Sequence, residues 1–258
     1  VAEVSLEMLT ALLAAAPSLH ARHAVPRASV AESATTRLNC KPYDSSVDWS
    51  TAEMPDEKAL IERNWASFPL PPEDLINRAK WTISEARLGM VDDSCLAPDF
   101  EFCAPFIGPL PKDDYLGALQ NFKITEAFPD LNSNFHAFRA DPFQPGRVWF
   151  NTRAFATHTG KTPLLGAPTG KKLEMPPQSY SLIFNEQGKV REITVGYVVD
   201  RRIGNTGGLG GAFGFFYGVG KPLPFPECKP YKPSIQLRVL SLVGSIGKSL
   251  KKLFGRNA

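Results

Sequence analysis

The residues best suited to chemistry in this chain are scattered. Cysteines stand at Cys40, Cys95, Cys103 and Cys228. None shows Cys-x-x-Cys spacing and no histidine cluster accompanies them, so a metal site is not expected. They read as reduced thiols. A sharper alternative pairs Cys40 with Cys228, because both open the tetrapeptide Cys-Lys-Pro-Tyr (Cys40 to Tyr43, Cys228 to Tyr231) and a bridge would tie the two ends of the central domain together. His158, in Ala-Thr-His-Thr-Gly, sits at a strand end and reads as a turn residue rather than a base. His136 lies on a strand and faces either a pocket or solvent. Asp130 in Phe-Pro-Asp-Leu reads as a turn cap, and Asp200 beside Arg201 and Arg202 as a solvated strand end. No Ser/His/Asp order, metal triad or paired-carboxylate motif stands out, and no cofactor is expected. The run RRIGNTGGLGGAFGFFYGVGKPLPFP (201–226) is not a dinucleotide fingerprint, since Phe213 stands where a third glycine is required. It is not a phosphate loop either, since no Gly-Lys-Ser/Thr closes it.

The elements that must position these groups are clearer. Two runs with strand-like alternation, Val148 to Thr157 and Gln178 to Phe184, flank a Gly/Pro-rich connection. A third, Lys189 to Val199, follows the turn Asn185-Glu186-Gln187-Gly188. Together they predict an antiparallel meander. Helices precede it: one near Asp56 to Ser67, and one after Pro71-Pro72 whose first turn carries Glu73 and Asp74. In the second, Leu75, Ile76, Ala79, Ile83 and Ala86 recur at helical spacing. A short strand at Asp99 to Cys103, a helix from Pro111 to about Phe122 and a strand at Asn134 to Ala140 complete the order. Helices before the meander, not between its strands, give an α+β class rather than a doubly wound sheet.

The chain has 258 residues and a formal charge of +3, which suits one domain with extensions. Residues 1–36 read as a leader: from Leu9 to Val30 there is no acidic residue, and Val25-Pro-Arg-Ala-Ser-Val-Ala is similar to the surroundings of an organelle transit-peptide cleavage site. If Val1 is instead a mature terminus, Val4 to Ala15 reads as a short docking helix. A polar linker spans 37–55, the core domain 56–200, and a Gly/aromatic/Pro-rich extension 201–233. In that extension Phe213, Phe215, Phe216 and Tyr217 read either as an irregular segment buried on the sheet or as a lid or interface. The tail, 234–258, reads as a basic amphipathic helix. Ile235, Val239, Leu242, Val243, Ile246 and Leu250 share one stripe, and Arg238, Lys248 and Lys252 lie opposite, with Lys251 adding charge. Such a helix suits an anionic membrane surface, an acidic groove on a larger complex, or its own domain. The basic tail is not interleaved with base-stacking aromatics, so nucleic acid is not an expected partner.

The element order, with Lys112-Asp-Asp-Tyr-Leu, Ala127-Phe-Pro-Asp-Leu131, Thr157-His-Thr-Gly160, Pro168-Thr-Gly-Lys171 and Gly188-Lys-Val190, resembles the SnoaL-like (polyketide cyclase) branch of the nuclear transport factor 2-like superfamily. The resemblance covers roughly residues 75–200. It implies a cone-shaped curved antiparallel sheet packed on N-terminal helices, with an apolar pocket at the wide end and N- and C-terminal extensions outside the family core. In cyclase and isomerase members the last strand carries an acidic general acid/base and an upstream strand a histidine. Here the acid's place falls on Thr194, and Tyr180 lies near the place of the histidine. A two-residue slip would put Glu192 there instead. On that alignment Tyr180, Glu192 and Thr194 line the pocket, and Glu192, Tyr180 and His136 are the candidate catalytic residues. A threonine is no base at neutral pH, so the missing acid, with the long extensions, points to a non-catalytic accessory subunit, and the leader to an organellar complex, a plastid before a mitochondrion. The alternatives are an isomerase, cyclase or hydrolase acting on a small apolar ligand, and a binder of a lipid or pigment.

Overall fold

The computed structural model describes residues 54–121 and 123–254. The leader, nearly all of the linker and Cys40 lie outside the described residues.

The first helices form where their local signals place them. α1 (Glu57–Asn64) is started by Asp56, whose carboxylate accepts hydrogen bonds from the backbone N–H groups of Lys58 (2.9 Å) and Ala59 (3.2 Å), satisfying donors that have no partner inside the helix. α2 (Pro72–Ser84) opens on a proline with Glu73 and Asp74 in its first turn, and it buries Leu75, Ala79 and Ile83. These recur every four residues, so one stripe faces the core.

There follow β1 (Leu96–Cys103), β2 (Leu110–Pro111), α3 (Lys112–Asn121), α4 (Ile124–Ala127), β3 (His136–Ala140), β4 (Arg147–Thr152), β5 (Phe155–Thr157), β6 (Lys172–Glu174), β7 (Gln178–Phe184) and β8 (Val190–Val198). Six strands form one sheet in the order β2-β1-β8-β7-β4-β3, and β5 with β6 forms a separate ribbon. The fold is α+β, an open curved sheet packed on helices. The sheet is mixed, because β1 runs parallel to β8 while every other neighbour is antiparallel. No hairpin joins β1 to β8, so no turn forces them antiparallel. The expected strand Val148–Thr157 is two strands. It breaks at Arg153, whose N–H bonds Ser133 O, and at Ala154, whose carbonyl accepts from Met175 N; the chain then leaves the main sheet for the ribbon.

One face of the sheet builds the core. Val148, Phe150, Tyr180, Leu182, Ile193 and Val195 join Leu75, Ile83, Phe100, Phe102, Tyr115 and Phe128 in one buried cluster.

The Gly-rich segment is not irregular. It contains a helix, α5 (Gly211–Val219), capped at its end by Gly220 in the left-handed conformation (φ 89°). Gly210, Gly214 and Gly218 are spaced four apart, so they form one bare face. A Cβ on Gly214 would lie 2.5 Å from Met175 Cε, and one on Gly218 would lie 2.7 Å from Leu173 Cδ2. The bare face lets this helix lie close to the segment running from β6 into β7, with the ends of Met175 and Leu173 filling the space that a Cβ would take. Phe215 and Phe216 are buried in the same core as the sheet; they are core material, not lid or interface. Phe213 and Tyr217 are half-buried. The last helix, α6 (Ile235–Phe254), leaves Ile235, Leu237, Val239, Leu240, Leu242 and Val243 exposed. Among the described residues no helix is long and apolar enough to cross a membrane.

Candidate functional site

The family alignment points to the cone between sheet and helices, and the structure has filled it. Tyr180 points inward and is buried, with its hydroxyl 3.5 Å from Gln178 Oε1. Burial pushes the Tyr180 pKa well up, so the phenol stays protonated. Gln178 Oε1 accepts the backbone N–H of Gly211 at 2.8 Å, which pins the start of α5 to β7. Phe215 packs its ring 5.0 Å from that of Phe128. What is left of the cone is a void of about 10 Å³ between Ser133, Thr152, Gln178, Tyr180, Met175 and Phe215. That is room for one water at most.

Glu192 and Thr194 do not line this space. They lie on the opposite, outer face of the sheet, because Ile193 and Val195 take the inward positions. On that outer face Arg147 Nη2 reaches Glu192 Oε1 at 3.3 Å, Arg147 Nη1 donates to Ser181 Oγ, and the hydroxyls of Ser181 and Thr194 are 2.5 Å apart. Arg147 also lies over the Trp149 ring, 5.1 Å from its centroid, and Trp149 Nε1 donates to Asp141 Oδ2 at 2.6 Å. This is a structural network spanning three strands: each carboxylate is occupied, and neither lines the void.

Asp141 gives that network a pH dependence. Partial burial pulls its pKa up, but hydrogen bonds from Trp149 Nε1 and from the Phe143 and Gln144 N–H groups, with the charge of Arg147, outweigh burial and leave the carboxyl below its usual value. A depressed folded-state pKa contributes stability above the unfolded value, near 4, which is lost as pH falls through the folded value. Asp141→Asn is therefore expected to cost about 1 kcal/mol at neutral pH, solvent screening included. The gap from the parent should narrow as pH falls below the unfolded value, near 4, and through the lower folded one. Chemical denaturation from pH 7 to pH 2.5 measures both.

His136 is exposed on β3, and its Nδ1 lies 2.6 Å from the carbonyl oxygen of Asn134; it faces neither the cone nor any carboxylate that would orient it. His158 is fully buried beside the Phe128 ring, and its Nδ1 accepts the N–H of Thr169 at 3.3 Å. Burial, then the charge of Lys221, lowers its pKa, so the ring is neutral. Asp130 accepts the N–H of Thr157 at 2.7 Å. Asp200 is fixed by Arg202, whose hydrogen bonds bring the carboxyl pKa down to about 2. Cys228 is a free buried thiol, and burial raises its pKa to about 11. Cys40, the partner suggested for it, lies outside the described residues. Among the described residues no group of three His, Cys, Asp or Glu side chains is placed to hold a metal ion.

An open concavity lies elsewhere. A cleft of about 430 Å³ is walled by the loop after β1 (residues 104–107), the end of β8 (196–198), the start of α5 (208–213) and the segment 226–232. No sequence signal marked it, because its walls come from four segments far apart in the chain. Of its lining, Arg201, the Gly-rich run with Phe213 and the second Cys-Lys-Pro-Tyr stand out in the sequence, but none of them as part of a cleft. Arg238, expected to meet a partner, is exposed on α6. Lys248, Lys251 and Lys252 fall within the later turns of that helix, where their side chains lie outside the described part.

No family model matches this chain, and no curated protein matches it. Solved structures do. AclR from Streptomyces galilaeus, a proposed hydroxylase, is 19% identical with a TM-score of 0.39; the match covers 75% of this chain and 94% of AclR. A proposed SnoaL-like polyketide cyclase from Jannaschia sp. CCS1 is 14% identical with a TM-score of 0.38, over 48% of this chain and 85% of that one. A nuclear transport factor 2-like protein from Burkholderia pseudomallei K96243 is 11% identical with a TM-score of 0.36, over 48% and 90%. These neighbours include the group that the sequence resembles. Their TM-scores lie below 0.5, so function is read from this chain's own residues.

Proposed function

We infer that this protein is a non-catalytic, SnoaL-like accessory subunit, one that uses the curved sheet as a scaffold and meets a larger assembly or an anionic membrane surface of an organelle, a plastid first, through its tail. One observation carries the reading: α5 occupies the cone and leaves about 10 Å³. A cyclase or isomerase needs a proton acceptor within hydrogen-bond reach of a bound substrate. Here the polar side chains around the void are a protonated tyrosine, a glutamine, a serine and a threonine, none of them a carboxylate or an imidazole, and Glu192 is held by Arg147 on the other side of the sheet. The organellar part of the reading rests on the composition of residues 1–36 alone.

The tail supplies the means of attachment. α6 holds six large apolar side chains in solvent, and its remaining charged positions, Arg238, Lys248, Lys251 and Lys252, are all basic. A helix of this kind binds at the headgroup boundary of anionic lipid or in an acidic groove. The experiment is flotation of the full chain, and of the chain without residues 234–258, with vesicles of phosphatidylcholine alone or mixed with phosphatidylglycerol. The full chain should float with the anionic vesicles and the shortened one should stay behind. Equal behaviour of the two would remove the attachment role, and multiple turnover of any small apolar substrate by the full chain would remove the non-catalytic one.

The polar lining of the small void favours one alternative, an isomerase, cyclase or hydrolase whose cone opens by displacement of α5. Tyr180 would then be the reacting group, and Glu192→Gln, on the outer face, would leave turnover unchanged.

A further inference from the structure

The cleft at the rim of the sheet is a binding site in its own right, separate from the filled cone. Its volume, about 430 Å³, lies in the range that encloses most of a small organic molecule. Its walls are aromatic. Phe106 and Phe213 stand face to face with ring centroids 6.3 Å apart. Tyr197 and Tyr231 border the same space, and Phe106 and Tyr231 are about two-thirds exposed. Single exposed apolar residues are ordinary on protein surfaces; three large aromatics turned toward one concavity are not.

The charge around the cleft has a sign. Arg201, Lys229 and Lys232 border it, against Glu227 alone. The Arg201 guanidinium already lies over the Tyr231 ring, 5.0 Å from its centroid, so a cation and a ring are held together before anything binds. A guanidinium positioned this way offers donors to a carboxylate along its edge while its face stays on the aromatic. A neutral apolar molecule would use the rings and leave the cations idle. A strongly charged, non-aromatic anion would use the cations and leave the rings exposed.

We propose that this cleft binds a planar aromatic acid, with its ring system against Phe106, Phe213 and Tyr231 and its carboxylate or sulfonate toward Arg201 and Lys229. The site does not depend on the accessory role inferred above, since it lies outside both the cone and α6.

The test uses the full chain and two fluorescent probes of similar shape and opposite character: 1-anilinonaphthalene-8-sulfonate, an aromatic anion, and neutral N-phenyl-1-naphthylamine. The anion should saturate one site and be displaced by 2-naphthoate. Arg201→Ala and Tyr231→Ala should each weaken it by about tenfold, while Arg201→Ala should leave the neutral probe unchanged. All the altered side chains are largely exposed, so melting temperatures should stay at the parent value; Lys229→Gln, on a different segment, gives a second reading should Arg201→Ala fail to fold. The proposal fails if both probes bind alike, if 2-naphthoate does not compete, or if Tyr231→Ala and Phe106→Ala leave the anion's affinity unchanged. The last result would place the dye on the exposed apolar side of α6. Vesicle flotation reads α6 and not this cleft, so either idea can fall alone.

Discussion

Replacing Phe215 by alanine is expected to destabilise the protein by about 3–5 kcal/mol, the usual cost of removing a buried phenylalanine from a packed core. The side chain is 2% exposed and its ring meets that of Phe128, so the site has little freedom to collapse. The loss is a large share of the about 5–15 kcal/mol that holds a domain folded, and it should be plain in urea denaturation. A second effect separates a plugged cone from an ordinary core. The space vacated would join the void lined by Thr152, Gln178 and Tyr180, giving a cavity with an apolar wall and a polar end. Indole or phenol, small enough to enter and able to hydrogen-bond there, should then raise the melting temperature of Phe215→Ala while leaving that of the parent unchanged. A cost below about 1 kcal/mol would mean that α5 rests loosely on the sheet, and the case for a cone closed by its own chain would be lost.

That closure was only partly legible in the sequence. Strand β7 is Gln178–Phe184 in both the pattern and the structure, because its alternation is bounded by Pro176-Pro177 on one side and the Asn-Glu-Gln-Gly turn on the other. The facing of β8 was not. Counting by twos from Val190 turns Glu192 and Thr194 inward. The chain breaks the count: Val190 and Glu192 on β8 stand opposite the adjacent residues Phe184 and Ile183 on β7. One extra residue, Arg191, is inserted, and such a bulge flips every later side chain to the other face. Nothing in Val190-Arg-Glu-Ile-Thr signals the bulge locally; it exists because Ile193 and Val195 fit the core and Glu192 does not. α5 was hidden for a different reason. Glycine weakens an isolated helix, so a run with glycines at 210, 214 and 218 reads as loop. Their four-residue spacing was the available signal, and it marks a helix whose bare face is needed for contact. The rim cleft had no local signature, since only folding brings residues 104–107, 196–198 and 226–232 together.

The motif residues that carried the family resemblance serve packing rather than chemistry, and Gly160→Ala should show it with the largest single effect in the molecule. Ala127-Phe-Pro-Asp-Leu131 and Thr157-His-Thr-Gly160 are far apart in sequence and meet in space. The carbonyl of Ala127 accepts the N–H groups of both Thr159 (3.2 Å) and Gly160 (3.0 Å), and Asp130 accepts that of Thr157. Phe128 lies against His158, and the third piece, Pro168-Thr-Gly-Lys171, closes on the second through Gly170 N to His158 O (2.9 Å) and His158 N to Lys171 O (2.9 Å). Gly160 sits where two backbones touch. A Cβ built there would fall 1.6 Å from the carbonyl oxygen of Glu126 and 2.7 Å from its carbon. A flexible side chain could yield to a new methyl; this backbone cannot, because α4 and the Ala127 carbonyl are held by the very bonds that the shift would break. The expected cost exceeds about 4 kcal/mol, in the range reserved for the severest single substitutions, with loss of the cooperative thermal transition. Gly170→Ala is the control: the same residue type in the neighbouring motif, with no heavy atom within 4 Å of the added carbon. Its cost should be confined to the strain of a positive φ (67°), about 1 kcal/mol. Comparable melting temperatures for the two variants would show that the contact between these motifs is not what holds this end of the domain, and the packing reading of the shared residues would have to be given up.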